Sequence, residues 1–321
     1  MKKTLTPGKW RGLKVTSNHQ HTFAILAFDQ RGNYRKMLPD GTSYAEAVEI
    51  KREIVSVLSP YVTAVLLDPD YGLAAALDAA GTSGLLMALE KTGYAGDATA
   101  RQVDFFDEWT TAKIKRMGAS AVKLLVYYHP DTEIAADIEA VVQHVASACV
   151  RHDLPLFVEP LAYSPDPATP ADSAAFAAQR PRIVCETARR LGRLADVLKL
   201  EFPIDSKYNQ DRSDWRDACD EVTQASPAPW VLLSAGVDFE VFRQQVAIAC
   251  QNGASGFLAG RAIWKEAIAI SASDRQTFLS TTSIQRVNTL REITERYGHA
   301  WTNYFAAMTA NENWFQAYSE Q

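Results

Sequence analysis

The chain has 321 residues, 47% of them hydrophobic, enough for a large core; this length allows two domains, but α/β barrels of this size form one. Its 33 Lys and Arg against 38 Asp and Glu give a net charge of -5, which argues against a basic nucleic-acid-binding face but not against a local phosphate site. No apolar run reaches the length of a membrane span, and the Met1-Lys-Lys-Thr start lacks the apolar segment of a signal peptide.

Short apolar runs recur along the chain with helical patterns between them. Phe23–Phe28 is the first run and ends at Asp29-Gln30-Arg31-Gly32. A helix over Tyr44–Leu58, closed by Pro60, leads to the second run, Ala64–Leu67, which ends at Asp68. Leu85–Leu89 is the third, ending at Glu90-Lys91, and a helix is predicted over Phe105–Met117. Ala121–Tyr128 is the fourth, followed by a helix over Ile134–Val150, and Leu156–Leu161 is the fifth. The loop Ser164–Gln179, rich in Pro, Ala and Asp, reads as a lid or as a plain surface loop, with a helix over Ile183–Leu194 after it. Val197–Phe202 is the sixth run, a helical stretch near Trp215–Val222 follows, and Trp230–Leu233 is the seventh. A helix over Phe239–Ala249 precedes the eighth, Gly256–Ala259, which ends at Gly260-Arg261.

Continuous apolar runs are the mark of strands buried on both faces, and their alternation with helices implies a parallel sheet. Eight such units predict an α/β fold of the (β/α)₈ TIM-barrel type. The doubly wound open sheet lacks its G-x-G-x-x-G fingerprint after the first strand. The expectation is a single domain over 1–321, with the barrel at about 22–275 and a C-terminal helical extension at about 276–321.

Two lysines interrupt these runs, Lys123 in the fourth and Lys199 in the sixth. Lysine is almost never fully buried without a reason. A desolvated ammonium gives up its proton more readily, and the neutral amine forms Schiff bases with carbonyl substrates. A buried ion pair with Glu159 or Glu201 is the plainer alternative. Barrel chemistry gathers at the C-terminal ends of the strands, and there the chain places Asp29, Gln30, Arg31, Asp68, Glu90, Lys91, Lys123, Glu159, Lys199, Glu201, Ser234 and Arg261. Strand alternation puts Lys199 and Glu201 on one face, the lumen, with Glu159 also pointing inward. After the seventh and eighth strands, Ser234-Ala235-Gly236 and Gly260-Arg261 lie where barrels commonly bind phosphate. Small residues there let backbone N–H groups approach an anion, and Arg261 adds a charge-assisted contact.

The segments Leu26-Ala-Phe-Asp-Gln-Arg-Gly32, Leu66-Leu-Asp-Pro-Asp-Tyr-Gly72, Glu90-Lys-Thr-Gly-Tyr94, Ala121-Val-Lys-Leu-Leu125, Phe157-Val-Glu159, Asp196-Val-Leu-Lys-Leu-Glu201, Leu233-Ser-Ala-Gly-Val237 and Gly260-Arg-Ala262 occur in that order. As a set they resemble the class I aldolases acting on tagatose 1,6-bisphosphate, a branch of the barrel aldolases that also includes sulfofructose phosphate aldolase. The resemblance implies that Lys199 is the Schiff-base lysine and Glu159 the acid/base residue, with Lys123 and Asp29 polarising hydroxyls. Ser234, Ala235, Gly236, Gly260 and Arg261 would then hold the phosphate on the ketose C1 side, beside Gln30, while Arg31 and Lys91 are candidates for the distal group. It implies a phosphorylated ketose as substrate, no cofactor, and a homo-oligomer. Within this reading a sulfofructose 1-phosphate aldolase and a non-catalytic sugar-phosphate sensor are the alternatives. A metal-dependent aldolase would need clustered histidine ligands, whereas the six histidines are scattered and the near pair His19 and His21 precedes the first strand. Cys149, Cys185, Cys219 and Cys250 are too far apart for a zinc or redox motif and read as free thiols of the cytoplasm, with no nucleic-acid or membrane partner expected.

Overall fold

The computed structural model describes residues 2–318. Eight parallel strands close into a barrel: β1 (Phe23–Phe28), β2 (Ala64–Leu67), β3 (Gly84–Ala88), β4 (Ala121–Tyr127), β5 (Leu156–Leu161), β6 (Val197–Leu200), β7 (Trp230–Leu233) and β8 (Gly256–Ala259). Closure is made by β8 against β1, with Phe257 opposite Ala24 and Leu258 opposite Ile25.

Strand alternation sorts the side chains into two cores. Ala24, Leu26 and Phe28 of β1 face outward and join Val65, Leu67, Val122, Leu198 and Leu232 against the helices. Phe23, Ile25 and Ala27 face the lumen with Ala64, Leu66, Leu86, Ala121, Phe157, Val197, Val231 and Leu258. Leu5, Leu13 and Trp301 close this inner core. They come from a short strand, Lys3–Leu5, paired with Phe305–Ala307, from the helix Pro7–Val15 and from the turn Trp301–Asn303. The floor is therefore apolar, and the charged positions begin two residues higher on the same faces: Asp29 above Ala27, Lys123 above Ala121, Glu159 above Phe157 and Lys199 above Val197.

The helix Tyr44–Leu58 forms as read, started by a capping box between Ser43 and Glu46. Three expectations need correction. The segment Phe105–Met117 is not one helix: Glu90–Ala95 and Gln102–Phe105 form an antiparallel hairpin, and the helix spans only Thr111–Arg116. The reason is that Glu90 and Leu89 are drawn into contact with β4, so the chain after β3 leaves as an extended ribbon. The loop Ser164–Gln179 is also shorter than expected, because the helix Ala174–Leu191 starts inside it at a Ser173 N-cap and contains Pro181, a residue that normally ends helices. Finally, β3, β4 and β6 stop at Ala88, Tyr127 and Leu200, short of the expected Leu89, Tyr128 and Phe202. No helix among the described residues is long and apolar enough to cross a membrane.

Candidate active site

The charged residues of the upper lumen form one connected cluster. Lys123 is fully buried, and its Nζ lies 2.7 Å from Asp29 Oδ2, 2.8 Å from Glu90 Oε1 and 2.9 Å from Glu159 Oε2. The same Glu159 Oε2 lies 2.8 Å from Lys199 Nζ, and Lys199 is 3% exposed. Both Glu159 contacts are ionic in distance, but neither has the alignment of a hydrogen bond. Burial alone would lower the pKa of Lys123, yet the carboxylates of Asp29, Glu159 and Glu90 outweigh it and raise it well above the ordinary lysine value. Burial likewise pushes Asp29 up, but Lys123, then Lys199 and Arg31, hold its carboxyl well below the usual range. Lys123 is thus a fixed ammonium with three anionic partners, and Glu159 is shared between the two amines.

Two chambers open onto this cluster. One, about 600 Å³, is lined by Asp29, Arg31, Glu90, Lys123, Tyr127 and Glu159 among others. The other, about 160 Å³, is lined by Gln30, Glu159, Lys199, Glu201, Ser234, Ala235, Gly260 and Arg261 among others. Three successive residues each leave a buried polar atom without a protein partner: Asp29 Oδ1, Gln30 Oε1 and Arg31 Nη1. Buried polar groups are nearly always paired, so such a run marks a surface shaped for a polar ligand.

The ends of β7 and β8 meet around Arg261. Ala235 and Gly236 both take positive φ, 47° and 84°, a conformation that glycine adopts freely and alanine only with strain. A Cβ on Gly236 would lie 2.9 Å from the guanidinium carbon of Arg261, so the bare backbone is what lets the arginine lie flat there. Gly260 is equally tight: a Cβ would fall 2.7 Å from the Ala27 carbonyl oxygen and 3.3 Å from Gln30 Nε2. Four residues read from sequence as phosphate contacts, Ser234, Ala235, Gly260 and Arg261, therefore border the Lys199 chamber, and Gly236 seats Arg261.

Other residues are placed differently from the sequence reading. Glu201 does not pair with Lys199. It turns to the helix Ala174–Leu191, where Arg180 Nη2 donates to its Oε1 at 2.6 Å, while the Ala162 N–H donates to Oε2 at 2.7 Å. Burial keeps its pKa above the ordinary carboxylate value despite Arg180. Arg31, a candidate for the distal group, is partly buried, donates to the Glu90 carbonyl at 2.7 Å and faces the larger chamber. Lys91, the other distal-group candidate, also borders the larger chamber while pairing with Asp104 across the hairpin at 3.3 Å, half exposed. Glu90, named from sequence at the end of β3 but assigned no role, is part of the cluster. It bridges Lys123, Arg31 and the Leu125 N–H, and its signal was its place at a strand end among other charges. Asp68 leaves the cluster altogether and pairs with the buried Lys51. Among the described residues no group of three or more His, Cys, Asp and Glu side chains is arranged to hold a metal ion.

Fold and site together define a (β/α)₈-barrel enzyme built on two buried amines that share a carboxylate. The DeoC/LacD family aldolase model matches residues 23–266, which span all eight strands and both glycine loops. The chain belongs to this family. It is 32% identical to a tagatose 1,6-diphosphate aldolase of Streptococcus agalactiae, with 92% of this chain and 98% of the relative covered. It is 33% identical to tagatose 1,6-diphosphate aldolase 1 of Streptococcus pyogenes, over 93% of this chain and 99% of that one. Among solved structures, the fructose-bisphosphate aldolase of Plasmodium falciparum matches the fold with a TM-score of 0.70 at 14% identity, covering 93% of this chain and 98% of that one.

Proposed function

We propose that the protein is a metal-independent class I aldolase that cleaves a ketose 1,6-bisphosphate, with tagatose 1,6-bisphosphate the first substrate to test. The observation that carries this reading is the Glu159 carboxylate oxygen held between Lys199 and Lys123 above an apolar barrel floor. The Lys199 amine attacks C2 of the open-chain ketose, and loss of water gives an iminium. Glu159 accepts the C4 hydroxyl proton. The C3–C4 bond breaks, its electrons flow into the iminium to give an enamine, and glyceraldehyde 3-phosphate leaves. Protonation at C3 and hydrolysis then release dihydroxyacetone phosphate and restore the amine. Lys123 stays charged throughout, orienting Glu159 and Asp29 and donating to substrate oxygens. Ser234, Ala235, Gly236, Gly260 and Arg261 hold the C1 phosphate, Gln30 contacts the substrate beside them, and Arg31 serves the distal phosphate. The names of both streptococcal relatives favour a bisphosphate over a sulfonated sugar.

Borohydride added with dihydroxyacetone phosphate should label Lys199 covalently. Full labelling of a Lys199→Ala protein would sink the assignment, and label on Lys123 would exchange the two roles. Cleavage of tagatose and fructose 1,6-bisphosphates, set against sulfofructose 1-phosphate, ranks the substrates. We also infer a cytoplasmic homo-oligomer. The four free thiols support the compartment. The exposed Tyr44, Leu73 and Leu77 on two packed helices support self-association, which sedimentation would test.

A further inference from the structure

The helix Tyr44–Leu58 buries one stripe, Ala47, Lys51, Ile54, Val55 and Leu58. Lysine is the odd member, and it is fully buried. Its Nζ donates to the Phe28 carbonyl at 2.8 Å and to the Gln30 carbonyl at 3.2 Å, and it pairs with Asp68. The rings of Phe28, Tyr34 and Tyr71 surround the ammonium, with centroids at 4.5, 5.1 and 5.7 Å. Asp68 is itself fixed, because its Oδ1 accepts the N–H groups of Asp70 and Tyr71.

The two carbonyls that Lys51 grips flank Asp29. Asp29 is the residue whose Oδ2 holds Lys123 and whose Oδ1 is left without a protein partner, and Gln30 follows it with an unpaired Oε1. On the other side Trp264 donates to the Ala27 carbonyl at 2.9 Å and stacks on Phe28 at 4.0 Å. The chain from Ala27 to Gln30 is thus gripped through its carbonyls from outside the barrel, while the side chains of Asp29 and Gln30 line the chambers inside. Stability alone is a poor account of this, since a buried ion pair generally adds little over an apolar side chain of the same size. An apolar residue in that stripe would pack, but it could not fix the carbonyls.

We propose that Lys51, with Asp68 as its counter-ion, is a positioning residue that sets the Asp29–Gln30 edge of the active site through the backbone; this rests on the aldolase reading above. Asp29 fixes Lys123, and Lys123 in turn fixes Glu159, so a shift at residue 29 reaches the proton-transfer group. The C1-phosphate contacts lie on β7 and β8, which Lys51 does not touch, while Gln30 and the distal-phosphate candidate Arg31 lie on or next to the gripped segment. Loss of Lys51 should therefore lower kcat more than it raises KM.

The test compares Lys51→Met and Lys51→Met/Asp68→Asn, the second leaving no unpaired buried charge, with Lys9→Met/Asp196→Asn. The last removes a similar buried pair, Lys9 with Asp196 at 2.6 Å, whose Asp196 also caps the Leu156 N–H at the barrel floor. Melting curves fix a temperature at which each variant is folded, and the ketose bisphosphate cleaved by wild type is the substrate. We expect kcat to fall about tenfold to a hundredfold in both Lys51 variants, KM to stay within about threefold, and kcat per folded molecule to hold in the floor variant. Lys51 variants within about twofold of wild-type kcat, or an equal kcat loss in the floor variant, would overturn the inference. Should the single variant not fold, the charge-free double variant decides. A wild-type protein that cleaves no ketose bisphosphate would instead refute the aldolase reading.

Discussion

Lys123→Met is the sharpest perturbation the site offers. It keeps most of the side-chain volume and removes the one ammonium that touches Asp29, Glu90 and Glu159. The side chains of these carboxylates are 7%, 2% and 8% exposed, so solvent cannot replace the lost charge. Removing one partner from a buried pair costs about 3–5 kcal/mol. Here three anions lose their common cation, so the upper end of that range applies, and the melting temperature should fall by roughly 5–10 °C near neutral pH. The pH dependence follows from the sign of the change. In the wild type, Asp29 has a folded pKa below its unfolded value, so its contribution is present above the unfolded value of 3.8 and is lost as pH falls through the lower folded value. Without Lys123 the crowded carboxylates favour protonation, so the variant's deficit is fullest at neutral pH and shrinks below about pH 5. Scanning calorimetry from acid to neutral pH measures this. A deficit that does not change with pH, or one below about 1 kcal/mol, would show that the cluster is not the charge-coupled unit described here. The same protein separates the two amines: Lys199 should still be trapped by borohydride while cleavage falls by about a hundredfold or more. Loss of trapping would make Lys123 the nucleophile.

Glu159→Gln keeps the shape of the acid/base residue and removes its basicity; cleavage should drop by about 10²–10⁴ while trapping on Lys199 persists, and equal loss of both would refute the assigned role. Gly236→Ala places a methyl against the Arg261 guanidinium at a positive φ. It should raise KM for phosphorylated ketoses about tenfold or more with a smaller effect on kcat, and an unchanged KM would remove the C1 phosphate from this loop. Asp29→Asn should give a stability loss relative to wild type that is constant through neutral pH and starts to shrink as pH falls below the unfolded value of 3.8, continuing down through the depressed folded value; a loss that stays unchanged down to about pH 2 would mean the carboxylate charge is not its source.

The barrel was legible because each strand is a short apolar run and each strand end carries a polar residue. Phe23–Phe28, Ala64–Leu67, Leu156–Leu161, Trp230–Leu233 and Gly256–Ala259 match the structure in both limits. The same strand alternation that sorts Ala121 from Val122 puts Lys123, Glu159 and Lys199 in one lumen. Features set by contacts between distant segments were not legible. Nothing local to Gln102–Phe105 announces a strand, which exists because it pairs with Glu90–Ala95. The helix at Ala174 begins on the near side of Pro181, and a proline that ends most helices hid it. Glu201 shares the Lys199 face, but which partner it takes depends on an arginine of another helix. Lys51 sat in plain view on the stripe of an amphipathic helix, the position where a charge most needs an explanation.

Three buried lysines in one barrel allow their roles to be ranked by what surrounds each ammonium. Lys51 has one carboxylate, two carbonyls and three aromatic rings, and neither it nor its counter-ion Asp68 lines a chamber. Lys123 has three carboxylates and a raised pKa, so it holds its proton and its position. Lys199 has a single carboxylate oxygen among the described residues, and that oxygen also faces Lys123. A Schiff base requires a free electron pair on nitrogen, so the amine that forms it must release its proton and then move toward a carbonyl carbon. An ammonium gripped by three anions can do neither at low cost, and one locked to two backbone carbonyls cannot reach a substrate. On the proposed aldolase reading Lys199 meets both requirements, beside an acceptor for the proton and against the chamber lined by Ser234, Gly260 and Arg261. On that same reading the neighbouring charges act in sequence: Lys51 sets the backbone that carries Asp29, Asp29 and Glu90 hold Lys123, and Lys123 holds Glu159 against the reacting amine.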